Sequence, residues 1–318
     1  MSDTAEPISA PAAGPRREER EVPVIPGYQI EAVAGETTST QSWEALQISL
    51  DRRVVLLTLR VEMADDPAKV AHFEEIARVV ARLHHRNFVQ IIDIAKTATG
   101  LPYVVMEKIE GRRLSEALRR DGPLPPGRAA KVVLQLADAL DGAWKQSGLV
   151  HRNLKPDNVW VLPDDSAKIG SFVYATAIRP GTDPLASDGG LLVGTPNYMP
   201  PEQIDADRSI DFHADVYSVG ALFYQALTGR IPFGEERDYV RIFELQKEGS
   251  LPAPSDIDPK IPESFSRIVA KMMAKRPGDR YAFWQDAVED IHRALAGRDL
   301  YVPGGGAWVA PPSTVAPA

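Results

Sequence analysis

The chain has 318 residues, 44% hydrophobic and 25% charged, which is enough to bury a full core and allows two lobes or domains. Its 36 Lys and Arg against 44 Asp and Glu leave a net charge of -8 with no basic block, so there is no electrostatic case for nucleic acid or an anionic membrane as partner. Zero cysteines exclude disulfides, thiolate metal sites and cysteine nucleophiles; with no apolar run of about 18 residues and no apolar core of a signal peptide at the N-terminus, the expectation is a cytoplasmic chain without a membrane span.

Residues 1–25 mix Pro, Ala and an Arg/Glu run, too little apolar surface to offset ordering entropy, and are expected to form a disordered tail. Strands are predicted at Tyr28–Val33, Gln41–Ser49, Arg53–Leu59, Val89–Lys96 and Tyr103–Ile109 from their β-branched and apolar runs. Between the third and fourth, Asp66 and Pro67 give an N-cap and first-turn signal for a helix on which Val70, Phe73, Ile76, Val80 and Leu83 form one apolar stripe. Val133, Leu136, Leu140 and Trp144 form a second helical stripe, and Val216, Val219, Leu222, Phe223 and Ala226 a third. All three stripes are read as core. Residues 303–318, rich in Pro, Gly and Ala with one aromatic, Trp308, are expected to form a second tail.

Five segments carry a more specific signal. His151-Arg152-Asn153-Leu154-Lys155-Pro156-Asp157-Asn158 resembles the H-R-D-L-K-P-x-N catalytic loop of eukaryotic-type Ser/Thr protein kinases, with Asn153 at the catalytic Asp. Gly194-Thr195-Pro196-Asn197-Tyr198-Met199-Pro200-Pro201-Glu202 resembles the end of an activation segment, and Asp215 to Gly220 the start of a buried helix. Arg280 stands where the family pairs an Arg with the Glu of A-P-E. Upstream, His85-Arg86-Asn87-Phe88-Val89 resembles H-P-N-I-V, and Val105 to Gly111 the gatekeeper and hinge. The resemblance runs from about Tyr28 to about Leu295. It implies an α+β, bilobal kinase-like fold over residues 26–302: a small antiparallel β lobe at about 26–110 with one helix, and a larger, mainly helical lobe at about 111–302.

The resemblance also implies which positions should hold ATP and magnesium, and most are changed. The three glycines of the phosphate loop align with Gly35, Thr37 and Thr40, and the β-branched roof residue after them with Ser42. Aligning V-A-I-K with Val55-Leu56-Leu57-Thr58 puts Thr58 at the phosphate-binding lysine and Leu56 at the small roof residue. Its glutamate partner becomes Ile76, since the neighbouring Glu75 lies roughly 100° around the helix. Arg60, a candidate replacement cation, is expected to leave toward solvent. The metal-binding Asp of D-F-G becomes Ser171, followed by Phe172 and Val173, and Ser is a poor ligand for a hard dication. Of the remaining polar residues, Lys155 and Asn158 are kept.

The nucleotide pocket, walled by Met106, Glu107 and Ile109 of the hinge, is expected to be filled, because Leu56 above and Trp160 below replace smaller residues. By contrast His151, Arg152, Phe172, Tyr198, Glu202, Asp215, Gly220 and Arg280, which in the family hold the helical lobe together, are retained. The resulting expectation is a catalytically inactive module acting as a signalling scaffold or allosteric partner, binding no ATP or metal, with an active kinase or other signalling protein as partner. The alternative is a weak or atypical Ser/Thr protein kinase that uses ATP and magnesium in an altered pose with Lys155 and Asn158. A second alternative is another nucleotide-dependent transferase with the nucleotide inverted.

Overall fold

The computed structural model describes residues 22–179 and 193–300, together with residues 183 and 185. Trp308 and most of both expected tails lie outside these residues. The first lobe is a five-stranded antiparallel sheet of β1 (Tyr28–Glu36), β2 (Thr40–Gln47), β3 (Arg52–Leu59), β4 (Ile91–Lys96) and β5 (Pro102–Glu107), in the order β1-β2-β3-β5-β4. Two helices interrupt it, the single turn α1 (Val61–Ala64), absent from the sequence reading, and α2 (Pro67–Ala81). The Asp66 side chain caps α2 by accepting from the Ala68 amide at 2.9 Å, and Pro67 fills the first turn, where its missing N–H costs nothing.

Both faces of the sheet are covered. Trp43, Ala45, Val54, Leu56, Tyr103 and Val105 pack on one face, joined by Ile25 from the segment before β1, so Ile25 belongs to the core and not to a tail. On the other face, Phe73 and Ala77 of α2 pack on Leu59 and Val104, with Leu57 beside them. Burial on both sides makes β3 a continuous apolar run instead of an alternating one.

The second lobe is mainly helical. It begins with the short β6 (Arg112–Arg113), α3 (Leu114–Asp121) and the 22-residue α4 (Pro126–Ser147), which ends at Gly148 in the left-handed conformation. After α4 come β7 (Leu149–Val150), β8 (Val159–Val161), β9 (Ala167–Ile169) and β10 (Thr176–Ala177), which form a three-stranded sheet β6-β8-β9 and a pair β10-β7. The remaining helices are α5 (Pro201–Ile204), α6 (His213–Thr228), α7 (Tyr239–Glu248), α8 (Pro254–Ile257), α9 (Glu263–Met272) and α10 (Trp284–Leu295). The apolar stripe of α6 is buried as predicted, and the helix is buried on its other faces as well, along nearly its whole length. Gly220 lets α9 approach so closely that a Cβ there would come within 2.6 Å of Met272. The expected α+β bilobal architecture is the observed one. No helix among the described residues is long and apolar enough to cross a membrane.

Candidate active-site cleft

Between the sheet and the β6-β8-β9 ribbon lies a cavity of about 630 Å³. Its roof is Gly35, Thr37, Thr40 and Ser42, its outer wall Glu107, Lys108 and Ile109, its floor Asp157, Asn158 and Trp160, and its inner end Leu57, Phe73, Ile76 and Phe172. Every hinge and roof residue expected from the sequence except Leu56 lines this space. The expected filled pocket is open.

Two of the aligned positions need correction, and one cause explains both. Along β2, β3 and β5 the pairs Ser42↔Leu57↔Val104 and Glu44↔Val55↔Met106 place these residues in cross-strand register, and all six line the cavity. Leu56 is therefore on the opposite face, fully buried among Trp43, Ala45 and Val105, and it takes no space from a ligand; the roof residue is Val55. Thr58 shares the outer face with Leu56, where its hydroxyl donates weakly to the Gln41 carbonyl at 3.4 Å. The residue in the lysine's place is Leu57. A one-residue slip in a strand exchanges its two faces, and in β3 both faces are apolar, so composition does not reveal the phase.

Trp160 does line the cavity, and the cavity stays open with it in place. Gly170 makes room for it: a Cβ on Gly170 would come within 2.8 Å of Trp160 Cζ3 and 3.0 Å of Val89 Cγ2. The Arg113 guanidinium sits over the ring, 4.9 Å from its centroid, and donates to the Asp157 carbonyl at 2.8 Å. Neither Gly170 nor Arg113 stands out in the sequence; only their shared contact with the indole links the two.

The remaining site residues are placed as follows. Ile76 of α2 lines the inner end together with Leu57, so an apolar pair stands where an ion pair would be, while Glu75 points away and pairs with Arg179 at 3.0 Å. Arg60 stays out of the cavity and ties the end of β1 through the Thr37 carbonyl at 2.8 Å and Glu36 at 3.3 Å. Thr37 in turn orders the β1–β2 turn by accepting from the amides of Ser39 and Thr40. The turn presents Thr38 and Ser39 to the Tyr174 hydroxyl, at 3.2 and 3.0 Å.

The catalytic-loop region is held from beneath. The buried Asp215 carboxylate accepts from the amides of His151 and Arg152 at 2.7 and 3.0 Å, which fixes Arg152 at a φ of 64°. Burial pushes the Asp215 carboxyl up to about 7, against the pull of those two amides and of Arg152. The fully buried His151 imidazole, bonded to the Gly170 carbonyl at 2.9 Å, is pushed down to about 4 by desolvation. Phe172 packs tilted against Phe88 and edge-to-face on His151, with centroids 5.6 and 5.4 Å away. Asn158 donates to the Asn153 carbonyl at 2.7 Å, and the buried Asn153 Oδ1 accepts no hydrogen bond among the described residues.

Glu202 and Arg280 form the expected bidentate pair at 2.6 and 2.8 Å, with the Arg280 side chain fully enclosed. Asn197 donates to the Pro232 carbonyl at 2.7 Å and is part of the lobe's own framework.

The residues do not fit a protein-held magnesium. Ser171 and Asn158 both line the cleft, but Asn158 commits its amide nitrogen within the loop, which leaves one neutral oxygen and one hydroxyl where hard dications require carboxylates. Among the described residues no group of three or more His, Cys, Asp or Glu could hold a metal ion.

Comparison with known proteins matches the protein kinase domain over residues 28–291. The chain is 35% identical over 264 residues to the serine/threonine-protein kinase pkn3 of Myxococcus xanthus, covering 80% of this chain and 47% of that protein. It is 32% identical to the serine/threonine-protein kinase PknB of Mycobacterium leprae over 87% of the chain and 44% of the relative. Against PknE of Mycobacterium tuberculosis it is 33% identical over 89% of the chain and 48% of the relative. The chain thus spans less than half the length of these curated relatives.

The expectation of an inactive scaffold is overturned. The relatives are named Ser/Thr protein kinases, which favours the alternative of a kinase with unusual site chemistry, and one of the two residues held to block the pocket faces away from it. With its lobes, cleft, catalytic-loop framework and Glu202–Arg280 pair in place and the family match spanning both lobes, the chain belongs to the protein kinase family.

Proposed function

We propose that the chain is an atypical ATP-dependent Ser/Thr protein kinase, working in the cytoplasm on a protein substrate. The observation that carries this reading is the open cavity of about 630 Å³, which has the volume of a nucleotide site and is walled by the hinge residues Glu107 to Ile109. The names of the relatives and the absence of cysteine, which suits a reducing compartment, support it further.

Phosphoryl transfer asks a protein mainly for positioning and charge stabilisation, because its transition state is loose. In this reading the hydroxyl oxygen of a substrate Ser or Thr forms a bond to the γ-phosphorus, the bond from that phosphorus to the β–γ bridging oxygen breaks, and ADP leaves. Asn153 Oδ1, without a hydrogen-bond partner among the described residues, orients the attacking hydroxyl by accepting its hydrogen. An amide cannot take up the proton, which passes to a phosphate oxygen, so turnover is slow compared with a carboxylate-assisted reaction. Lys155 is not among the cavity-lining residues, but its Nζ is 3.9 Å from the lining residue Asp157 and supplies charge beside the cleft.

The test is incubation with γ-labelled ATP, with magnesium and separately with manganese, in the presence of a generic Ser/Thr protein substrate and of the chain itself. Label on protein that disappears in an Asn153→Ala/Lys155→Ala double variant is the expected result. No label above a heat-denatured control under either metal defeats the reading.

A further inference from the structure

The cleft has lost its inner cation but has acquired another. Among the residues lining the cavity only Lys108 and Arg113 are basic. Lys108 is committed to Glu44 at 2.6 Å, and Lys168 beneath the wall is likewise committed to Glu107 at 2.6 Å. Arg113 differs: among the described residues the one hydrogen bond of its side chain is to the Asp157 carbonyl, and the remaining guanidinium N–H groups have no partner. It is also pre-positioned, because the guanidinium lies over Trp160, which rests on Gly170. From there Arg113 spans the cleft to the roof, where its Nη2 would be 3.6 Å from a Cβ built on Gly35.

We infer that Arg113, on its Trp160 platform, is the phosphate-binding cation of this cleft, supplying the charge that Leu57 cannot. The inference rests on the reading of the cleft as a nucleotide site. A chain of phosphates cannot lie against Leu57 and Ile76 without a large uncompensated desolvation cost. A guanidinium held rigidly by an aromatic face loses little entropy on binding and offers forked donors to phosphate oxygens. Glu116 lines the same mouth, and Asp157 lies beside it. Carboxylates next to the guanidinium suit the sugar hydroxyls of a nucleotide, and they confine the phosphates to the Arg113 side. Trp160 is then a platform, and its pairing with Gly170 is what keeps it clear of the ligand.

The experiment measures binding of ATP, adenosine and inorganic tripolyphosphate to the parent chain, Arg113→Ala, Arg113→Lys and Lys155→Ala by calorimetry, with circular dichroism to verify folding. In Arg113→Ala, ATP and tripolyphosphate should weaken by about tenfold or more, the loss of a charge-assisted contact, with adenosine unchanged and Arg113→Lys recovering part of the affinity. If Arg113→Ala leaves the ATP-to-adenosine ratio intact while Lys155→Ala abolishes it, the inference is wrong and the proposed function stands. If the parent binds tripolyphosphate through Arg113 but neither nucleotide nor nucleoside, the inference survives and the proposed function falls. If the parent binds none of the three, both fall.

Discussion

Trp160 and Gly170 are in such close contact that a single methyl group on Gly170 would overlap the edge of the indole, 2.8 Å from Cζ3. The two residues lie ten positions apart, Trp160 within β8 and Gly170 just after β9, and together they determine whether the cleft is open. A bulky floor residue is compatible with a ligand because the backbone beneath it carries no side chain.

Gly170→Ala should therefore push Trp160 upward into the cavity. The expected outcome is a stability loss of about 1–3 kcal/mol from overpacking, together with weaker nucleotide binding in the same calorimetric titration. Trp160→Leu in the Gly170→Ala background should recover both. A Gly170→Ala chain that binds and melts like its parent would show that the indole is free to move.

The phase of β3 is checked by comparing Leu57→Lys with Thr58→Lys in chemical denaturation. Leu57 borders the cavity, where an ammonium can reach water, so that variant should lose little stability. Thr58 is buried on the closed face, and a lysine there leaves an unpaired charge costing about 3 kcal/mol or more. Adding Ile76→Glu to Leu57→Lys should give a favourable coupling in a double-mutant cycle, since both positions line the inner end of one cleft. The opposite order of stabilities for the two lysine variants would return the phosphate-lysine position to residue 58.

The Glu202–Arg280 pair is enclosed, and its guanidinium also bonds the carbonyls of His213, Ala274 and Lys275. Glu202→Gln should destabilise the chain by about 3–5 kcal/mol, because the cation is left buried without its counter-ion. Denaturant titration monitored by tryptophan fluorescence measures it, and a loss below about 1 kcal/mol, the range of exposed pairs, would mean the pair is solvated.

His151 gives a pH signature with a definite sign. Its imidazole is held down at about 4 in the folded chain, whereas an unfolded histidine titrates near 6.5. Between those values the unfolded state binds more protons, so this group's contribution to stability rises from pH 4 to 6.5 and is lost in the reverse direction, by about 3 kcal/mol in all. Asp215 works with the opposite sign over an overlapping range, since its folded carboxyl is raised. The His151 part is isolated by subtracting His151→Gln, in which Asp215 is unchanged and the amide can still donate to Gly170. The difference in unfolding free energy between parent and variant should widen as pH rises from 4 to 6.5, and a constant difference would mean that His151 is charged in the folded chain.

Much of the fold is legible locally. The Asp66–Pro67 helix start and the apolar stripes of α2 and α6 follow from residue types and spacing, because a helix repeats its buried face every 3.6 residues and a mistake in phase is visible at once; the Glu202–Arg280 pair follows from the family resemblance. The order of the catalytic-loop and activation-segment residues likewise marks the family without coordinates.

What tertiary structure alone decided is which way the strands face and how the cleft is shared out. Between Arg53 and Arg60, β3 is covered on one side by Trp43 and Tyr103 and on the other by Phe73 and Ala77, so its composition has no alternation from which the phase could be read. Only its pairing with Ser42, Glu44, Val104 and Met106 turns Val55 and Leu57 toward the cavity and Leu56 and Thr58 away. The Arg113–Trp160–Gly170 stack is hidden for a related reason: its members come from three separate segments of chain, and no local pattern announces that a cation, an indole and a missing side chain meet at one point.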